Sequence, residues 1–439
     1  MKIPKRIASA VINSLKGGVV PRIGLPYITV GRDAEIKALL RDVDIIQDGG
    51  ASFRFVMGRY GSGKSFLMQT IRSHVMDRGF VVMDADLSPE RKLYGTKGQG
   101  LATYKELISN ISTKTRPEGG ALTLILDRWI SSVQSETAVS TGLTPGSAEF
   151  DSAVEKKIYQ ATASLNELVH GFEFAKLLNT YYRAVMNGED EMKACVIKWF
   201  RGEYTTKTEA KRELGVNMVI TDENWYDHIK LFSAFFRQAG YTGLLVLIDE
   251  LVNIYTITHS VTRQNNYEKI LTMYNDTLQG KAHYLGIIMG GTPQSIEDNR
   301  RGVYSYEALR SRLTESRFNR DGIKDLNAPV IPLVPLTYEE LLVLTEKLSD
   351  IHSQLYDYQL TITQEELISF IKAEFGRIGA DSHITPREVI RDFISLLDIR
   401  QQYPALSVDE ILGSEKMEYA AAEEGDNSTP DPEFAEFDI

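Results

Sequence analysis

The chain has a single cysteine, Cys195, in 439 residues. One thiol excludes an internal disulfide and any zinc site built on cysteines, and it fits a reducing compartment. Long apolar runs are also missing, and none approaches the roughly 20 residues a membrane-spanning helix needs. The opening stretch, MKIPKRIASAVINSLKGG, lacks the apolar centre of a secretion signal. A cytoplasmic protein without membrane contact is therefore expected. The histidines (His74, His170, His228, His259, His283, His352 and His383) are scattered without ligand spacing, so no metal site is expected beyond an ion carried in with a ligand. Nor is there an excess of positive charge. The net charge is −11, and residues 421–439 hold seven acids and no base, which leaves the rest of the chain at −4. Charge alone predicts no nucleic-acid binder, although it leaves room for a local basic patch.

What the chain does have is Gly58-Arg59-Tyr60-Gly61-Ser62-Gly63-Lys64-Ser65. It follows a short apolar run, Phe53–Met57, and precedes a helical pattern, Phe66–Val75. This is the GxxxxGK[ST] pattern in the setting it requires, a strand running into a glycine loop that opens a helix. The glycines let backbone N–H groups turn inward around phosphate oxygens, and the helix N-terminus adds its partial positive charge. Lys64 is expected at the β/γ-phosphates and Ser65 on Mg²⁺, with Gly58 through Phe66 forming the nucleotide-contacting stretch. The expected ligands are ATP and Mg²⁺.

Five short runs read as buried parallel strands: Phe53–Met57, Phe80–Ala85, Leu244–Ile248, Tyr284–Met289 and Val330–Val334. Helical patterns separate them, which predicts an α/β fold with helices on both faces of a five-stranded parallel sheet. Between the second and third runs, residues 87–240 are almost wholly helical in pattern, far more than one crossover helix, and read as a helical insertion. Residues 337–410 form a further helical block, and residues 411–439 read as an acidic tail. Residues 1–20 read as a basic amphipathic helix, with Ile7, Val11, Ile12 and Leu15 on one face. It would pack on the first domain or contact DNA or a partner.

The third run ends in Asp249-Glu250. Ligands bind outside the carboxyl ends of such strands, which puts both acids beside the glycine loop. Asp249 is expected to hold Mg²⁺ and Glu250 to polarise the attacking water. The fourth run leads into Gly290-Gly291-Thr292, where Thr292 either senses the γ-phosphate or caps a helix. Arg312, in Leu309–Leu313, is the candidate finger for a neighbour's γ-phosphate, with Arg300 and Arg301 as competitors. Thr385-Pro386-Arg387-Glu388 begins a helix with proline at its first position, and Arg387 there could fold over the nucleotide.

The order of glycine loop, long gap, Asp-Glu strand, Ser311-Arg312-Leu313, Pro335–Leu341 and Arg387 resembles the AAA+ ATPases of the origin-recognition kind. More closely, the chain resembles the BrxD-like ATP-binding proteins of BREX phage-defence systems. That resemblance is carried by Gly17–Pro21, Ile28–Arg32, Phe53–Phe66, Trp199–Glu203, Gly290–Pro293 and Thr385–Glu388. It implies an AAA+ core split over residues 1–86 and 241–336, an insertion at 87–240 and a C-terminal helical lid at 337–410. Gly31 and Arg32 join the nucleotide contacts by the same resemblance. It also implies antiviral defence, ATP hydrolysis, a DNA helicase as partner, action on DNA as a loader or motor, and a possible homo-oligomer. One departure is the lack of a winged-helix segment after the lid, so the insertion or the basic first helix would have to contact DNA. A nucleotide-gated adaptor with little turnover of its own is the alternative. A sensor that oligomerises on infection is a weaker fit, since neither repeats nor an effector domain are seen.

Overall fold

The computed structural model describes residues 2–314, 325–359, 361–376 and 385–413. The acidic stretch 421–439 lies outside them, as do parts of the C-terminal helical block. Among the described residues, five strands form one parallel sheet: β1 (Ala51–Met57), β2 (Val81–Asp86), β3 (Leu244–Asp249), β4 (Leu285–Gly291) and β5 (Val330–Pro332). The spatial order is β2-β3-β4-β1-β5, so β4 lies between β1 and β3. All five strands expected from the sequence are present, each within a few residues of its run.

The strands obey the period-2 rule of a sheet covered on both faces. On one face Val56, Val82, Leu245, Leu247 and Ile288 meet Leu39, Val43, Leu67 and Ile71 from the helices Asp33–Gln47 and Lys64–Asp77. On the other, Phe53, Phe55, Met83, Val246, Ile248 and Met289 join a larger core. That core runs without a break into the helices between β2 and β3, through Trp129, Phe174, Trp199 and Trp225. Those helices are Gln99–Ser109, Leu122–Thr141, Ala148–Ala161, Gly171–Asn187, Asp190–Phe200, Lys207–Leu214 and Trp225–Gln238. They share their apolar interior with the sheet, and residues 32–334 form one compact unit.

A second unit comprises the described residues of 1–31 and 335–439. Its first helix, Lys5–Lys16, buries Ala8, Val11 and Ile12. The sequence left that helix either packed on the first domain or in contact with DNA or a partner. Its apolar face packs on the helices Tyr338–Tyr356 and Pro386–Gln402, a non-local choice that an amphipathic pattern does not encode. The fully buried His352 bonds Asp398 at 3.1 Å and the Tyr358 hydroxyl at 3.0 Å, and Lys16 pairs with the same Asp398. Among the described residues, no helix is long and apolar enough to cross a membrane.

One histidine of the larger unit titrates far from its usual range. His228 is fully buried in the helix Trp225–Gln238, with Nδ1 at 3.0 Å from the Asn224 carbonyl and Nε2 without a partner. His170 stacks on it at 5.5 Å, and Trp199 meets it edge-on. Burial pulls its pKa down to about 4, against the Asn224 carbonyl, which raises it. Below about 6.5 the unfolded chain takes up a proton that the folded chain refuses, so stability is full above that value and declines towards pH 4. The loss at pH 4 is about 3 kcal/mol. In denaturant titrations between pH 7 and 4, the advantage of the wild type over His228→Phe should shrink as pH falls. A constant difference would show that His228 titrates normally.

Candidate functional site

β1 ends at Met57, and the loop Gly58–Gly63 carries the chain into the helix Lys64–Asp77. Gly61 and Gly63 adopt φ of 72° and 93°, left-handed conformations that favour glycine and turn the backbone tightly. Gly58 serves a different end: a Cβ there would sit 2.3 Å from Ser62 Oγ and 3.2 Å from Leu333 Cβ. Ser62 Oγ is itself buried without a hydrogen-bond partner, a polar atom left over inside a loop whose amides open a helix. The loop is braced from behind. Arg32, almost fully buried, donates to the carbonyls of Ser62 and Val334, both at 2.9 Å. Lys64 Nζ donates to the carbonyls of Gly58 and Arg59 at 2.9 and 3.0 Å.

Opposite this loop stand the acids of β3. Ser65 Oγ donates to Asp249 Oδ2 at 2.7 Å, closing the gap between the helix and the strand. Asp249 Oδ1 accepts the backbone N–H of Glu250 at 2.8 Å. That bond accompanies a backbone turn at Glu250, whose φ of 63° is strained for a residue with a side chain. Glu250 Oε2 accepts from the Tyr60 hydroxyl at 3.4 Å, so the acid faces the loop. Among the described residues, no group of three or more His, Cys, Asp or Glu side chains is placed to hold a metal ion.

Two contributors escaped the sequence reading. Asp86 ends β2 and pairs in register with Asp249. Its tip reaches solvent, yet partial burial, then the charges of Asp249 and Glu250, push its carboxyl up to about 6 against the pull of Arg91. The rule that singled out Asp249, an acid at the carboxyl end of a strand, would have found it. The other is Gly290, where an added Cβ would lie 2.1 Å from Asp249 Oδ1. The missing side chain leaves the space that the Asp249 carboxylate occupies.

Thr292 follows Gly291, whose carbonyl accepts the Gly58 N–H at 3.0 Å. Thr292 caps the short helix Pro293–Glu297: its Oγ1 accepts the Ser295 amide at 3.1 Å, and Ser295 Oγ accepts the Thr292 amide at 2.9 Å. Arg312, in the helix Glu307–Leu313, donates to Ala308 O within its own helix at 2.6 Å. Arg300 is exposed, and Arg301 lies over the Tyr255 ring at 5.4 Å. Gly31 and Arg387 belong to the second unit. A Cβ on Gly31, whose φ is 66°, would collide with the Glu340 carboxylate, and the Arg387 side chain lies against Gly18. Glu340 is held by Thr337 in one reciprocal cap and Glu388 by Thr385 in another.

Residues 3–416 match the family model described as BREX system ATP-binding protein BrxC/D. Comparison with curated proteins finds no match. The chain belongs to the BrxC/D family of BREX system ATP-binding proteins, and membership implies ATP binding in phage defence.

Proposed function

We propose that this BREX-family chain is a Mg²⁺-dependent ATPase of the AAA+ type that acts on DNA as a loader or motor together with a helicase. The observation that carries the reading is the 2.7 Å contact between Ser65 Oγ and Asp249 Oδ2, with Glu250 next in the chain. A hydroxyl and a carboxylate side by side are hard oxygen donors of the kind Mg²⁺ takes, and Ser65 and Asp249 would hold it. The ion would neutralise charge on the transferring phosphoryl group. Lys64 would trade its loop carbonyls for phosphate oxygens. Glu250 would accept the proton of the attacking water. The placement of β4 between β1 and β3 fits the hydrolytic, additional-strand class of P-loop proteins. By this reading residues 87–240 are an insertion, 337–410 a lid and Arg387 its nucleotide-facing arginine. Lys2, Lys5 and Arg6 are exposed and would be available to a DNA backbone. Steady-state hydrolysis with and without DNA, beside Lys64→Ala, tests the proposal. Turnover that rises with DNA and vanishes in the variant supports it. ATP binding with no turnover under any DNA condition would remove the motor.

The second reading is a nucleotide-gated adaptor with little turnover of its own. A site completed only by another copy or a partner would hydrolyse slowly alone, and the Arg312 guanidinium here bonds a carbonyl of its own helix. If Arg312 serves a neighbour's nucleotide, Arg312→Ala should cut turnover by at least about 100-fold while ATP affinity is kept, since an arginine supplied in trans contributes 10³–10⁵ in other phosphoryl-transfer systems. Equal loss of affinity and turnover would rule out the finger.

A further inference from the structure

Lys64 and Glu250 are bridged by a single side chain. Tyr60 donates from its phenol to Glu250 Oε2 at 3.4 Å, and its ring lies 5.4 Å from the Lys64 ammonium. The residue is 57% exposed, so core packing does not pin it there. What holds it is the pair of groups at its two ends: a carboxylate that accepts from the hydroxyl, and a cation drawn to the ring face. Partial burial and the neighbouring Glu250 raise the phenol's pKa. Glu250 is presented to the phenol by its left-handed backbone, so the contact comes from a local geometry that costs energy to hold.

A terminal phosphate must reach Lys64, and the water that attacks it must reach Glu250. The Tyr60 side chain touches both groups, Glu250 through its hydroxyl and Lys64 through its ring. On the nucleotide reading, a diphosphate would need only the loop, whereas a triphosphate would bring its γ-group to Lys64 and its water to Glu250, the two groups the phenol touches. We infer that Tyr60 is a latch that an incoming triphosphate displaces, and that it thereby sets the relative affinity of the site for tri- and diphosphates. The inference rests on the nucleotide reading above. Tyr60 acts through Lys64 and Glu250 and is a positioning residue.

The test is calorimetric titration of the 439-residue wild type, Tyr60→Phe and Tyr60→Ala with a non-hydrolysable ATP analogue and with ADP, both in Mg²⁺. Tyr60→Ala should bind the analogue about fivefold more tightly and ADP within about twofold of the wild type. Tyr60→Phe keeps the ring over Lys64 and loses only the hydroxyl, so it should fall between them. Unchanged or weaker analogue binding by Tyr60→Ala, or the same gain for both nucleotides, overturns the latch. A general structural role for Tyr60 would move both nucleotides together. A wild type that binds neither nucleotide overturns the reading of the site, and the latch with it. Because Tyr60 is exposed, neither substitution threatens the fold.

Discussion

Glu250→Gln should lower steady-state ATP turnover by about 10²–10⁴-fold, the usual worth of a positioned general base, with ATP affinity within about threefold of the wild type. The amide is nearly isosteric, so the turn at Glu250 and the 2.8 Å bond from its N–H to Asp249 are retained. Ser65, Asp249 and Lys64 keep their geometry, so nothing that would hold phosphate or Mg²⁺ is removed. Only the ability to accept a proton from water disappears. Turnover and nucleotide binding measured on the same preparation separate these contributions. Equal loss of both would mean that Glu250 supports the ligand and not the reaction. The amide can still accept from Tyr60, so the variant tests the base apart from the latch.

Gly290→Ala should be nearly as damaging, although residue 290 carries no functional group. The new methyl would stand 2.1 Å from Asp249 Oδ1, 2.8 Å from its Cγ and 3.1 Å from Met68 Sδ. No carboxylate tolerates the first of these distances. Asp249 would have to leave the orientation in which it accepts from Ser65 and from the Glu250 amide. A displacement of about 1 Å in such a site costs on the order of 100-fold in rate, and turnover of the variant should fall that far, with a raised Mg²⁺ requirement. Asp249→Asn gives the comparison. If Gly290→Ala keeps wild-type turnover, the close approach of β4 to Asp249 does not fix the acid.

The reach and limits of the sequence reading follow from which forces are local. The glycine loop was legible because GxxxxGKS leaves the backbone few alternatives, and β1 to β5 because a parallel strand covered on both faces must be a continuous apolar run. The helices between β2 and β3 were legible for the same reason: a helix that buries one face repeats every 3.6 residues. Register is not local. That Asp86 stands beside Asp249, and that Gly290 makes room for it, depends on how β2, β3 and β4 align, which no single segment states. Side-chain direction is equally hidden. Arg312 reads the same whether it reaches outward or folds back on Ala308, and Thr292 the same whether or not it is tied to Ser295. The first helix showed its apolar face plainly but not the distant helices that cover it.

That last pairing has a consequence for synthesis. Lys16 and Asp398 are 382 residues apart in the chain and meet in one small unit. At translation rates of about 5–20 residues per second, the first helix leaves the ribosome roughly 20–80 seconds before its covering helices exist. Residues 32–334 contain their own sheet and core and can fold during that wait. Throughout it, Ala8, Val11 and Ile12 lack the helices that cover them in the finished fold, so nascent chains carry a sticky basic segment. Production of this protein should therefore depend more on chaperones that shelter early segments than on the intrinsic stability of the finished sheet.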